Sequence, residues 1–137
     1  MIRDDAVHPG QTQTAKAGAD GKWMVKLDPL TTTGRPVEMT IAGSRRITIR
    51  NILVGEVWLC SGQSNMQMTM KGYFNQPTFG ANEAIATSAN QNIRLFTVER
   101  VKSLTPNDDF TGKWLECNPG NVADFSAAAY FFGRMVQ

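Results

Sequence analysis

A chain of 137 residues, 42% hydrophobic and 19% charged, has the size of one ordinary domain and a composition that argues against a disordered or low-complexity protein. Its net charge is +2 and its basic residues are scattered, with Arg45-Arg46 the only adjacent pair, so no nucleic-acid partner is implied. No apolar run approaches the roughly 18 residues needed to span a bilayer, and Met1-Ile2-Arg3-Asp4-Asp5 is no signal peptide; an exported parent protein would carry its signal outside this chain.

The first third reads as an antiparallel β unit. Short segments at 11–17, 23–27, 37–42 and 46–53 alternate with turn signals at Gly18-Ala19-Asp20-Gly21, Asp28-Pro29 and Gly43-Ser44. Residues 37–42 and 46–53 predict a hairpin about Gly43-Ser44. In its second arm Ile47, Ile49 and Asn51 fall on one face and Thr48, Arg50 and Ile52 on the other, the period of a half-buried strand whose outer face is polar and basic. His8, the only histidine, lies in a polar stretch ahead of any predicted strand and reads as a surface-loop residue, not a base.

From Val54 the elements lengthen, which divides the chain into 1–53 and 54–137. An apolar, β-prone run over 54–60 breaks into Ser61-Gly62-Gln63-Ser64-Asn65-Met66. Reacting groups in open α/β sheets gather beyond the carboxyl ends of the strands, so Ser64 is a candidate nucleophile; by residue type alone, Gly-x-Ser after a strand is more often a turn. Met66, Met68 and Met70 read as packing beneath the rim of such a site, because soft-metal clusters bring histidine or cysteine with them. Gly72 and Pro77 mark a loop, 82–89 a short helix and 93–98 a second strand, a succession that builds a parallel sheet by right-handed crossover.

Residues 99–119 look like an irregular surface excursion around a short β-like stretch at 113–116, with Asp108 and Asp109 solvated and not a metal or acid site. Residues 126–137 predict an amphipathic helix, capped by Asp124 or Ser126, that turns Ala128, Phe131, Phe132 and Met135 to the core. Cys60 and Cys117 both fall in apolar surroundings and read as two packed thiols in preference to a disulfide. Nothing in the sequence calls for a metal or a cofactor.

The run Glu56-Val57-Trp58-Leu59-Cys60-Ser61-Gly62-Gln63-Ser64-Asn65-Met66 closely resembles block I of the sialate O-acetylesterase branch of the SGNH hydrolases. Val122-Ala123-Asp124-Phe125-Ser126-Ala127-Ala128-Ala129-Tyr130-Phe131-Phe132-Gly133-Arg134 is similar to a family helix opening with Phe-Ser-Ala. Asp20-Gly21-Lys22-Trp23 looks like the end of the small β-domain that precedes the catalytic domain. The resemblance runs from about residue 10 onward and implies an α/β fold: a partial antiparallel β-domain over 1–53, then, over 54–137, the start of an SGNH-type, flavodoxin-like parallel sheet with helices. It implies Ser64 as the nucleophile, with Gly62, Gln63 and Asn65 as oxyanion or supporting residues, and an acetylated carbohydrate as substrate.

The family's catalytic histidine and its aspartate partner lie near the far end of a longer domain, so the chain is read as an N-terminal fragment with incomplete machinery. Gly62-Gln63-Ser64-Asn65-Met66 lacks the closing glycine of the α/β-hydrolase elbow, which makes that fold a poorer fit. Acetylxylan esterase is an alternative within the same chemistry. A non-catalytic carbohydrate-binding β-module, with Trp23 stacking on a sugar, is an alternative of another class, and a gene remnant with sticky sheet edges is a third. Oligomeric state is not legible.

Overall fold

Whether an apolar run becomes a strand depends on its finding a partner, and in this chain some runs do and others do not. The structure, a computed structural model, describes residues 2–4 and 8–137 and divides into two units, Met1–Val57 and Trp58–Gln137.

The first unit holds a four-stranded antiparallel sheet in the order β2-β1-β3-β4, formed by β1 (Ile2–Asp4), β2 (His8–Gln11), β3 (Val37–Ala42) and β4 (Arg46–Ile52). The expected hairpin is β3-β4. Within it Val37 faces Ile52 while Met39 faces Ile49, so β4 has one residue too many and bulges. Asn51 takes φ 61°, a left-handed conformation that asparagine tolerates better than most residues. The bulge reverses the alternation that the sequence suggests: Ile52 joins Ile49 and Ile47, opposite Val37, Met39 and Ile41, and these apolar residues share one face of the hairpin. The other face is polar, with Arg50 Nε bonded to Glu38 Oε2 at 2.9 Å.

The strands expected at 11–17 and 23–27 do not form. Gln11 closes β2, and residues 12–36 contain no strand. Glutamine side chains substitute for the missing ladder there: Gln11 Oε1 accepts the Asp28 N–H at 2.8 Å, its Nε2 donates to the Asp28 carbonyl at 3.1 Å, and Gln13 Nε2 donates to Asp28 Oδ2 at 3.4 Å. Trp23, in the stretch expected as a strand over 23–27, is 52% exposed. The turn at Gly18 forms as expected, with Gly21 at φ 77°. His8, expected in a loop, opens β2.

In the second unit the helices are α1 (Ser64–Gln67), α2 (Ala81–Ala86), α3 (Pro119–Val122) and α4 (Ala127–Val136), with strands β5 (Asn90–Phe96) and β6 (Trp114–Cys117). The expected strand over 54–60 is absent: none of these residues pairs, and Trp58 and Leu59 are exposed. The parallel sheet expected here is not formed among the described residues. β5 pairs antiparallel with β6, so the 113–116 stretch, expected on the surface, is the partner of β5. Aromatic packing explains the return of the chain: the Phe96 ring lies 5.6 Å from Phe110 and 5.1 Å from Trp114, and a Cβ on Gly112 would come within 2.4 Å of it.

The core of this unit gathers Met70, Ala84, Leu95, Cys117, Val122, Ala127 and Tyr130. Helix α4 therefore turns Ala127, Tyr130 and Phe131 inward, while Ala128, Phe132 and Met135, three of the four expected core residues, face outward. The cap sets this rotation. Ser126 Oγ accepts the Ala129 N–H at 3.3 Å, and the Ala127 N–H is bonded to the Met68 carbonyl at 2.8 Å, which seats Ala127 against the core. Met70 and Val122 are 0% exposed. Among the described residues no helix is long and apolar enough to cross a membrane. Met70→Ala is expected to lower unfolding free energy by about 2–5 kcal/mol, read from urea denaturation, whereas Met135→Ala on the open face of α4 is expected to change it by under about 0.5 kcal/mol.

Candidate active site

Ser64 is the first residue of α1, an exposed single turn that begins where the extended run ends. Gln63 stands at the N-cap with φ −107° and ψ −133° and caps with no side-chain bond, so the turn opens abruptly. Gly62 permits this: a Cβ there would lie 2.5 Å from Met66 Cγ and 3.2 Å from its Cβ. The first intrahelical bonds run from the Gln67 and Met68 N–H groups to the Gln63 and Ser64 carbonyls, both at 3.0 Å. The amides of Ser64, Asn65 and Met66 therefore point ahead of the turn with no acceptor among the described residues.

A turn this short has little stability of its own. Its position comes from the segment after it. The Met70 N–H donates to the Phe125 carbonyl and the Lys71 N–H to the Ala123 carbonyl, each at 2.9 Å, while the Ala127 N–H donates to the Met68 carbonyl. Lys71 Nζ also pairs with Asp124 Oδ1. Residues 68–71 are in this way laced to the chain entering α4, with Met70 buried beneath.

A second set of contacts comes from the loop that follows. The Tyr73 hydroxyl donates to the carbonyl of Gln67, the last residue of α1, at 2.8 Å, and Thr78 Oγ1 donates to the Thr69 carbonyl at 2.9 Å. Sequence reasoning did not single out Tyr73 or Thr78. The only signal was their place in a Gly/Pro-bounded loop after the motif.

Gly62, Gln63, Ser64 and Asn65 are contiguous and all exposed. The side chains of Gln63, Ser64 and Asn65 make no hydrogen bond among the described residues, so no base is placed on the Ser64 hydroxyl and the expected supporting bonds have no partner there. No group of three or more histidine, cysteine, aspartate or glutamate residues that could hold a metal occurs among the described residues. Asp109 Oδ1 accepts its neighbour's Phe110 N–H in an exposed loop, a local bond consistent with a solvated residue.

The two cysteines differ. Cys60, expected in a buried strand, is exposed because that strand is not formed. Cys117 is 3% exposed and its Sγ donates to the Ser88 carbonyl at 3.0 Å. Burial pushes the Cys117 thiol above its ordinary value, with the Arg94 charge acting in the opposite sense, so the neutral thiol is the packed form.

No protein-family model matches the chain. It is 38% identical over 125 residues to the sialate O-acetylesterase of Mus musculus, covering 82% of this chain and 22% of that protein. It is 34% identical over 134 residues to the sialate O-acetylesterase of Rattus norvegicus, covering 88% of this chain and 24% of that protein. Among solved structures it resembles a carbohydrate acetylesterase from Xanthomonas citri with a TM-score of 0.85 and 30% identity, covering 93% of this chain and 28% of the other. The chain thus spans about a quarter of the length of the curated relatives it matches.

The contrast between the thiols is open to test. Iodoacetamide at neutral pH is expected to label Cys60 and spare Cys117 in the folded protein, and to label both in denaturant, as read by mass spectrometry of the tryptic peptides.

Proposed function

Because the chain belongs to the sialate O-acetylesterase family, we propose that it is the nucleophile-bearing part of a carbohydrate O-acetylesterase, with Ser64 attacking the acetyl carbonyl of an esterified sugar hydroxyl. The observation that carries this reading is the placement of Ser64: an exposed hydroxyl at the opening of α1, with three first-turn amides unpaired beside it. Attack forms the Ser64 Oγ–carbon bond and a tetrahedral oxyanion; collapse releases the sugar alcohol and leaves an acetyl-serine that water hydrolyses. The Ser64 amide is assigned to the oxyanion, where each donor is worth about 10²- to 10³-fold in rate. Gly62 keeps the turn tight, and Gln63 and Asn65 are assigned supporting hydrogen bonds on either side of the nucleophile.

A serine hydroxyl needs a base to act as a nucleophile at neutral pH. We assign that base, a histidine oriented by an aspartate, to the part of the family's length that this chain does not span. We assign residues 1–53 to a small β-domain and 54–137 to the beginning of a catalytic domain, in which the unpaired run at 54–60 would take its place as a strand of a parallel SGNH-type sheet. The exposure of Trp58 and Leu59 supports this: two large apolar side chains, 58% and 89% exposed, in a segment that pairs with no strand, with Trp58 meeting the Phe132 ring edge-to-face at 5.2 Å.

The test uses the protein expressed from its complete gene. Acetate release from an O-acetylated sialic acid is expected to fall by about 10⁴-fold or more in Ser64→Ala, with the melting temperature unchanged. A fluorophosphonate is expected to form a single adduct at Ser64, located by peptide mass spectrometry. Undiminished turnover in Ser64→Ala, or an adduct on a different serine, would contradict the assignment.

A further inference from the structure

The loop after α1 carries three large aromatic residues in seven positions, and the site as derived uses only one of their polar atoms. Tyr73 is 45% exposed, Phe74 93% and Phe79 99%. The hairpin around Phe74 is firmly built. The Tyr73 N–H donates to the Gln76 carbonyl at 3.0 Å and the Gln76 N–H to the Tyr73 carbonyl at 2.9 Å, closing a two-residue loop of Phe74 and Asn75. Asn75 takes φ 59° and Gly72 φ 74°. A Cβ on Gly72 would lie 2.5 Å from the Gln76 carbonyl oxygen and 2.8 Å from Pro77 Cα, so the glycine is what lets the two arms close.

Nothing in this turn calls for a phenylalanine. Its backbone requires only a residue at position 75 that accepts a positive φ; the position before it in such turns favours proline or polar residues. Phe74 nevertheless holds an apolar ring in water on a rigid support. That support is anchored to the nucleophile turn itself, through the Tyr73 hydroxyl on the Gln67 carbonyl at 2.8 Å. Helix α1 is only four residues long, so the hairpin is tied to the same helical turn that Ser64 opens.

We propose that the Tyr73–Gln76 hairpin is the sugar-recognition rim of the Ser64 site, with the Phe74 ring taking the apolar C–H face of the pyranose that bears the acetyl ester. The chemistry matches: an aromatic face is electronegative and apolar, and the axial C–H groups of a pyranose are apolar and weakly electropositive. Tyr73 is a positioning residue in this arrangement, fixing the hairpin to α1. The proposal rests on the esterase reading, and its consequence is selectivity: Phe74 contributes to binding acetylated sugars and nothing to cleaving an acetyl ester that has no ring.

The experiment compares an O-acetylated sialic acid with ethyl acetate as substrates of the protein expressed from its complete gene. Phe74→Ala is expected to raise KM for the sugar about three- to tenfold, the weight of one aromatic contact, with kcat and ethyl acetate turnover unchanged. Phe74→Trp is expected to restore the sugar KM. Equal losses on both substrates, a lowered melting temperature with no change in selectivity, or no effect at all would overturn the proposal. Calorimetric binding of the same sugar to Ser64→Ala separates the two readings. Binding that Phe74→Ala weakens sustains the rim even if another serine proves to be the nucleophile, and binding indifferent to Phe74 overturns the rim while leaving the Ser64 assignment intact.

Discussion

The geometry around Ser64 depends on the antiparallel lacing of residues 68–71 to residues 123–127. Three backbone hydrogen bonds of 2.8–2.9 Å join them, and Met70, with none of its surface exposed, fills the space below. A single helical turn cannot hold a nucleophile in place, because nucleation fixes several dihedrals for each hydrogen bond gained. The lacing transfers the rigidity of α4, a ten-residue helix with its own serine cap, to a turn that has no side-chain cap. The order of the two segments follows from this. A motif near the middle of the chain needs residues 123–127 near its end, since they supply the Ala123 and Phe125 carbonyls and the Ala127 amide that fix it.

The aromatic hairpin extends the same arrangement outward. Tyr73 closes the carboxyl end of α1 and Thr78 bonds back to Thr69, so the loop moves with the turn and not independently of it. Such a loop can present a flat apolar ring to a substrate without ordering itself on binding, which spares the entropic cost of immobilising a mobile segment. Catalytic and recognition elements would then share one support, the lacing to α4.

The legible parts of the fold were those decided by neighbours in sequence. The β3-β4 hairpin follows from its turn residues, α2 and β5 lie within a few residues of where the pattern places them, and Ser126 caps α4 as expected. Helix α3 carries a local signal of its own: Asn118 before Pro119 is an N-cap followed by the residue best suited to the first helical position, and Asn118 Oδ1 accepts the Asn121 N–H at 3.0 Å. The losses came where partners lie far apart in sequence. Residues 54–60 are rich in strand-favouring side chains, Val54, Val57 and Trp58, and have no strand to pair with. Residues 113–116 looked peripheral and became the partner of β5 because Phe96, Phe110 and Trp114 pack together. The buried face of α4 lies one position from the expected one, since hydrophobic spacing is satisfied nearly as well by Ala128, Phe132 and Met135 as by Ala127, Tyr130 and Phe131; the hydrogen bond from Ala127 to Met68 decides between them. The motif around Ser64 was legible residue by residue, whereas Tyr73 and its bond to the Gln67 carbonyl were not, because no spacing rule marks a loop tyrosine as a clamp.

Hydrogen–deuterium exchange of the Met70, Lys71 and Ala127 amides is the most direct measure of whether the nucleophile turn is held as described. The account predicts that these three exchange slowly and together, at the rate of the Tyr130 amide in the body of α4. Exchange as rapid as that of the exposed loop over residues 100–110 would mean that the lacing opens independently of the core, and that Ser64 is not positioned by it.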